Sequence, residues 1–456
     1  MLIEELKTIV GPGAWKSDVD DLRPYVTDWR GEVIGSTPLM VSPASTEEVS
    51  QIVRACSAAG IAIVPQGGNT GMCAAAIPDD SGTQILLSLS RMNKIRSIDT
   101  DNFSMEVEAG CILANIQDAA RGVDRYFPLR LGAEGSCQIG GNLSTNAGGV
   151  NVVRYGTARA LVLGLEVVLA DGTIVNSLRS LRKDTAGYDV KQLFIGSEGT
   201  LGIITAATIK LFPDPGEIQT ALVALRSSGD AVRLFAKLRS ELADRIEAFE
   251  LVSQRVFGFV EKHIPDTKVP FDVDYPWYVL IEIATGGTPE LLESALLDAS
   301  DANLILDAII AKNSIEAEKF WRLRHSIAEA ERQEGSSLKH DISVPISRME
   351  EFLRRGDDLL AKLAANSRLV AFGHVGDGNL HYNVLLPAGS DAGAAVTAAI
   401  YSLVDEFGGS FSAEHGVGQL KRQYLEKYRN PAEIELMRTL KKALDPQNIL
   451  NPGKVI

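Results

Sequence analysis

The 456-residue chain has length for about three ordinary domains, and its 45% hydrophobic and 23% charged residues are those of a soluble globular enzyme. A net charge of −14 argues against nucleic acid and anionic membrane surfaces as partners, and the longest apolar run, 161–170, is cut by Glu166 before it could span a bilayer. Cys56, Cys73, Cys111 and Cys137 show no CxxC spacing, and the N-terminus is acidic and amphipathic rather than signal-like, so the expected setting is reducing and cytoplasmic.

Residues 1–36 read as a leading arm. Ser45 with Glu48 forms a capping box, Val49, Ile52, Val53 and Cys56 mark one buried helical face, and Gly60 stops that helix. A short buried strand over 61–64 runs straight into Pro65-Gln66-Gly67-Gly68-Asn69-Thr70-Gly71. A glycine-rich loop leaving a strand lets backbone N–H groups turn toward a phosphate. Gly-Gly is also simply a tight turn, and the loop matches neither GxGxxG nor the P-loop, so NAD and ATP are disfavoured. A second tract, Gly135 to Gly149, holds five glycines and six hydrogen-bonding side chains in fifteen residues. Such a segment is either a long exposed loop or a wrap around a polar ligand. With the third turn, Gly196 to Gly202, it favours one extended ligand, such as a large cofactor with a pyrophosphate. Strands are expected at 85–89, 105–109, 161–169 and 202–205. Pro213-Asp214-Pro215-Gly216 breaks the chain.

Beyond this break, strands are expected at 221–225, 278–284, 369–375 and 380–386. Helices are expected at 231–242, 289–299, 314–333, 348–366 and 432–444. The pattern is a compact α+β domain with an antiparallel sheet. Asp377-Gly378 suggests a two-residue hairpin turn, in which Gly376 opposes Asn379 and His374 opposes His381. Asn383, two residues beyond His381, points to the same face. Three of the six histidines fall here and in the bend Ser412-Ala413-Glu414-His415-Gly416-Val417-Gly418. Two imidazoles and a carboxylate with an open position form the ligand set of a catalytic metal site. The plainer alternative is a turn whose histidines are surface or core residues.

The stretches PQGGNTG, SCQIGGNLSTNAGG, GYDVKQLFIGSEGTLGIIT, GHVGDGNLHYNV, EHGVG and NPGK occur in order. Together they resemble the flavin-dependent D-2-hydroxyacid dehydrogenases of the vanillyl-alcohol-oxidase superfamily, over about 41–456. That group includes D-2-hydroxyglutarate, D-lactate and glycolate dehydrogenases. The resemblance implies an α+β fold: a two-part PCMH-type FAD-binding domain over 37–215, a cap domain over 216–410 with an antiparallel sheet, and a segment over 411–456 closing on the flavin. FAD would be non-covalent, because no histidine lies in either principal loop. It would contact Pro65, Gly67, Gly68, Asn69, Thr70, Gly71 and Met72 on one side. Ser136, Cys137, Gly140, Gly141, Asn142, Thr145, Asn146 and Gly149 would line the other, with Glu198, Gly202 and Ile203 near the adenine and Asn451 reaching back.

The resemblance also implies a divalent ion, zinc or similar, on His374, His381 and Glu414, with His415 as the base. Arg324, Lys339 and Asn383 would bind substrate, although Arg324 and Lys339 could equally face solvent, as most such residues do. One departure is Ala328, where hydroxyglutarate-specific members carry Thr. The expected activity is oxidation of a D-2-hydroxy acid, D-2-hydroxyglutarate ahead of D-lactate or glycolate, with a flavin oxidase using O₂ as alternative. The electron acceptor would be a quinone, an electron-transfer flavoprotein or a cytochrome, and the resemblance allows a homodimer.

Overall fold

The computed structural model describes residues 2–456, which divide into two compact units. The first unit comprises residues 2–148, 156–214 and 414–456; the second comprises 149–155 and 215–413. The cut in the first unit has a local cause. Asn151, Arg154 and Tyr155 all bond the carboxylate of Glu247, a buried residue of the second unit. Gly149, expected beside the cofactor, therefore belongs to the second unit.

The first unit is built on two main sheets, with Arg125–Tyr126 and Phe212–Pro213 forming a two-stranded antiparallel pair besides. In one, Trp15–Lys16, Met40–Val41, Ile85–Ser88 and Ile63–Gln66 lie in that order, the last three mutually parallel. The leading helix Leu2–Val10 and the capped helix Thr46–Ala59 share the apolar core of this sheet. Ser45 Oγ accepts the Glu48 N–H at 3.2 Å, while the Glu48 carboxylate returns to Ala44 N. Such a cap contributes about 1 kcal/mol. The other sheet is antiparallel, in the order Ile95–Asp99, Ser104–Glu108, Ile203–Lys210, Val162–Val168, Ile174–Ser177. Glu166 is buried in its middle and satisfied by Thr46, Arg96, Asn176 and Thr205.

The second unit is an antiparallel sheet with helices against it. The order is Asp307–Ile310, Ile218–Leu225, Trp277–Ala284, Ile246–Ser253, Arg368–Gly373, Asn379–Leu385, Ser337–Leu338, and Asp341–Ser343 also pairs Asn379–Leu385. Gln254–His263, Ser314–His325 and Ile327–Glu334 bury apolar side chains in the same cluster as Val252, Phe372 and Leu280. The single helix expected over 314–333 is thus two, joined at Ser326.

The hairpin register differs from the expected one. Phe372, not His374, faces His381 across the strands, because residues 374–378 form a five-residue loop rather than a two-residue turn. A Cβ at Gly373 would lie 2.7 Å from Asn379 O, so the chain can leave the strand early there only with glycine.

Candidate active site

In the first unit the strand Ile63–Gln66 delivers the loop 67–72. The backbone N–H groups of Gly67, Gly68, Asn69, Thr70, Gly71 and Met72 donate no hydrogen bond within the described chain. Six successive N–H groups without a partner form a concentrated anion-binding surface, suited to a pyrophosphate. Gly68 lets this loop meet the second glycine tract, since a Cβ there would lie 2.2 Å from Ser136 O. A Cβ at Gly71 or Gly141 would meet nothing within 4 Å, which leaves open space beside both.

A cleft runs from there, lined by Pro65, Gly67, Gly140, Gly141, Thr145, Glu198, Gly202 and Ile203 among the expected residues, and by Gln66, Ala75, Ala76, Leu89, Ser144, Gly199 and Ile204 besides. Asn142 Oδ1 and Gln138 Oε1, both buried near it in sequence, have no partner. Open amides, orphaned buried acceptors and glycine walls together fit a large cofactor with a phosphate core.

Four non-glycine residues of these loops, Asn69, Asn146, Glu198 and Asn451, hold left-handed φ angles of 54°, 52°, 52° and 46°. Strained backbone of this kind, costing about 1–3 kcal/mol at each position, concentrates at ligand sites. Asn451 Nδ2 donates to Ala75 O and Glu198 O, so the C-terminal segment is tied to the cleft wall. Glu198 does more than line the cleft. Its carboxylate, raised in pKa by burial, accepts from Val417 N at 2.7 Å and Gly418 N at 2.8 Å. Gln419 donates to Ala74 O and Ile77 O. The bend that carries Glu414 and His415 is thereby fixed beside the cleft, and the donor atoms of these two side chains lie within 4.8 Å of each other.

In the second unit, one face of the sheet collects the polar groups. His381 sits between Phe372 on one neighbouring strand and Asp341 on the other. Donor atoms of Asp341 and His381 lie within 4.8 Å of each other. Asp341 also accepts from Asn379 Nδ2 at 2.9 Å. His374 stands one ring further on, its centroid 6.0 Å from that of His381. Its Nδ1 meets Glu250 Oε1 at 2.5 Å, and Arg324 Nε donates to the other oxygen of Glu250 at 2.8 Å. The two Nη groups of Arg324, the fork that suits a carboxylate, donate to nothing among the described residues. The oxygen of Asp341 and the nitrogen of His381 fit a divalent ion of zinc type, whereas His374 is not among the residues whose donor atoms lie within 4.8 Å of both.

The other two expected substrate residues are placed differently. Asn383 is buried and its amide is engaged at both ends, accepting from His340 N and donating to Glu331 Oε2, so it braces the sheet rather than facing a ligand. Lys339 Nζ lies 2.5 Å from Glu331, a buried carboxylate. Asp341, Glu250 and Glu331 are groups that sequence reasoning did not single out. For Asp341 the signal was at hand: it follows Lys339-His340 in a short strand-like stretch. Glu250 sits in an apolar strand that carried no motif.

Comparison with known proteins now adds identity. Residues 37–177 match the FAD binding domain family, and residues 214–455 match the family described as FAD linked oxidases, C-terminal domain. D-2-hydroxyglutarate dehydrogenase, mitochondrial, of Danio rerio is 40% identical over 98% of this chain and 83% of its own length. D-2-hydroxyglutarate dehydrogenase of Stutzerimonas stutzeri is 37% identical over 100% of this chain and 98% of its own. Among solved structures, p-cresol methylhydroxylase with substrate bound superposes with a TM-score of 0.77 at 17% identity, covering 100% of this chain and 96% of that one, which supports a PCMH-type fold.

The cytoplasmic expectation is corrected here. The zebrafish relative is named mitochondrial while the bacterial one is not, so the character of residues 1–10 fixes no compartment. No helix among the described residues is long and apolar enough to cross a membrane. The chain is an FAD-dependent oxidoreductase, a member of the family of FAD-linked D-2-hydroxyacid dehydrogenases.

Proposed function

We propose that the chain oxidises D-2-hydroxyglutarate to the 2-oxo acid, with non-covalent FAD as the immediate oxidant and a divalent ion, zinc in the first instance, on His374, His381 and Glu414. The observation that carries the substrate assignment is identity of about 40% along nearly the whole chain to an enzyme of that name. Asp341 stands close enough to His381 to join the ion or to orient the imidazole.

FAD, when bound, supplies the acceptor for the C2 hydride. A divalent ion supplies Lewis acidity that makes a hydroxyl far easier to deprotonate. The protein does the rest. The imidazole of His415 takes the hydroxyl proton, the general-base role that histidine most often fills. Arg324 presents its Nη fork to a substrate carboxylate, which fixes C2. The bend held by Glu198 keeps His415 from drifting, and a misplacement of about 1 Å can cost roughly a hundredfold in rate. The electrons then pass to a separate acceptor, for which we propose a quinone, an electron-transfer flavoprotein or a cytochrome.

Two observations favour a second reading, a shorter acid such as D-lactate. Lys339 is already matched to Glu331, and Ala328 offers no hydroxyl to a distal carboxylate. A panel of D-2-hydroxy acids with a dye acceptor separates the two. The first reading expects kcat/KM highest for D-2-hydroxyglutarate; a preference for D-lactate overturns it. Peroxide formed with air as the sole acceptor would point instead to an oxidase.

A further inference from the structure

The second unit contains a carboxylate with no place in the reaction so far. Glu250 is fully buried, in the strand Ile246–Ser253. One oxygen holds His374 Nδ1 and the other holds Arg324 Nε. Arg324 in turn lies with its guanidinium carbon 4.9 Å from the Phe372 ring, and Phe372 lies 4.7 Å from the His381 ring. The group expected to bind an ion and the group expected to bind the substrate carboxylate therefore share a single anchor.

We propose that Glu250 is a positioning residue that couples the two: by accepting at His374 Nδ1 it directs the Nε2 lone pair outward as a metal ligand, and by accepting at Arg324 Nε it leaves the Nη fork turned toward substrate. The inference rests on the metal reading above. Its chemistry is that of a carboxylate behind a ligating imidazole. A hydrogen on Nδ1 fixes the tautomer, so the other nitrogen has its lone pair available, and a carboxylate acceptor makes that nitrogen a stronger donor to the ion. Burial by itself would raise the pKa of Glu250. The Arg324 guanidinium and the hydrogen bonds at Arg324 Nε and His374 Nδ1 outweigh that and favour the carboxylate form, so an anion is what the two partners see.

The isosteric change Glu250→Gln separates this role from simple packing. The amide keeps the shape, and its oxygen still serves Arg324. Its NH₂ group, however, donates to His374 Nδ1, which moves the imidazole hydrogen to Nε2, where it blocks an ion.

The test titrates zinc alone into metal-stripped, flavin-loaded wild type and E250Q, with flavin absorbance and melting temperature followed alongside. The expected result is zinc affinity lower by roughly 10–100-fold in E250Q, with flavin content unchanged and KM for D-2-hydroxyglutarate raised at saturating zinc. Wild-type zinc affinity in flavin-loaded E250Q overturns the inference. Failure of the wild type itself to bind zinc overturns the metal reading on which it rests, and is distinguishable for that reason. Should E250Q not yield flavoprotein, E250D withdraws the carboxylate by one methylene while keeping its charge. At least a tenfold loss of zinc affinity is expected there, and an unchanged affinity again overturns the proposal.

Discussion

The two units prepare for their ligands in opposite ways. The first offers backbone: six open amides over 67–72, glycine walls, and left-handed residues that hold the loops in place. The second offers side chains, and each expected cation there already faces a buried carboxylate, Arg324 at Glu250 and Lys339 at Glu331. The contrast follows from what each must do. A large cofactor that stays bound can be held by fixed dipoles, which need no counter-charge. Cations that must stand ready for a substrate that comes and goes cannot be left alone in a low-dielectric interior, so the fold supplies anions for them to rest against.

The largest effect that would sharpen this contrast comes from His381→Ala. Turnover should be abolished while FAD stays bound, because the side chain belongs to the second unit and the cofactor cleft to the first; activity retained in metal-free H381A would break the division. Next comes Gly68→Val. Its Cβ would fall 2.2 Å from Ser136 O, so the two glycine loops must part. The flavin-to-protein absorbance ratio should drop several-fold, and full FAD occupancy would mean that the open amides are not the cofactor's seat.

The smallest effect tests charge pairing away from the site. Glu334 is bonded by Lys262, Arg368 and His263, which hold its pKa down from 4.5 to about 2. The folded chain thus binds fewer protons than the unfolded one between these values. The stabilisation is complete above about pH 4.5 and disappears as pH falls toward 2. Glu334→Gln should lower the melting temperature at pH 7 by a few degrees and converge with wild type in acid. An equal gap at both ends of that range would remove the pairing from the account.

How far these features were legible beforehand follows from their range in sequence. Ser45, Glu48 and Gly60 act within one helix, so their pattern announced both of its ends. The loop 67–71 was legible for the same reason, a strand followed at once by glycines. The strand carrying Glu250 was not, since an isolated glutamate in an apolar run gives no local sign that His374 and Arg324, 124 and 74 positions away, will satisfy it. The register of 368–385 failed differently. Asp377-Gly378 is a strong turn signal, yet tertiary context around Gly373 ended the strand early and shifted the pairing so that Phe372 meets His381. Nor could the short excursion of 149–155 into the second unit be foreseen, as it depends on Glu247 almost a hundred positions on.

The most direct test of the central claim is anaerobic reduction of the bound flavin, followed near 450 nm (roughly its usual band), by each enantiomer of 2-hydroxyglutarate before and after chelation of divalent ions. Rapid bleaching by the D enantiomer alone, lost on chelation and restored by added zinc, is the expected result. Bleaching by both enantiomers, or bleaching indifferent to chelation, would contradict the account.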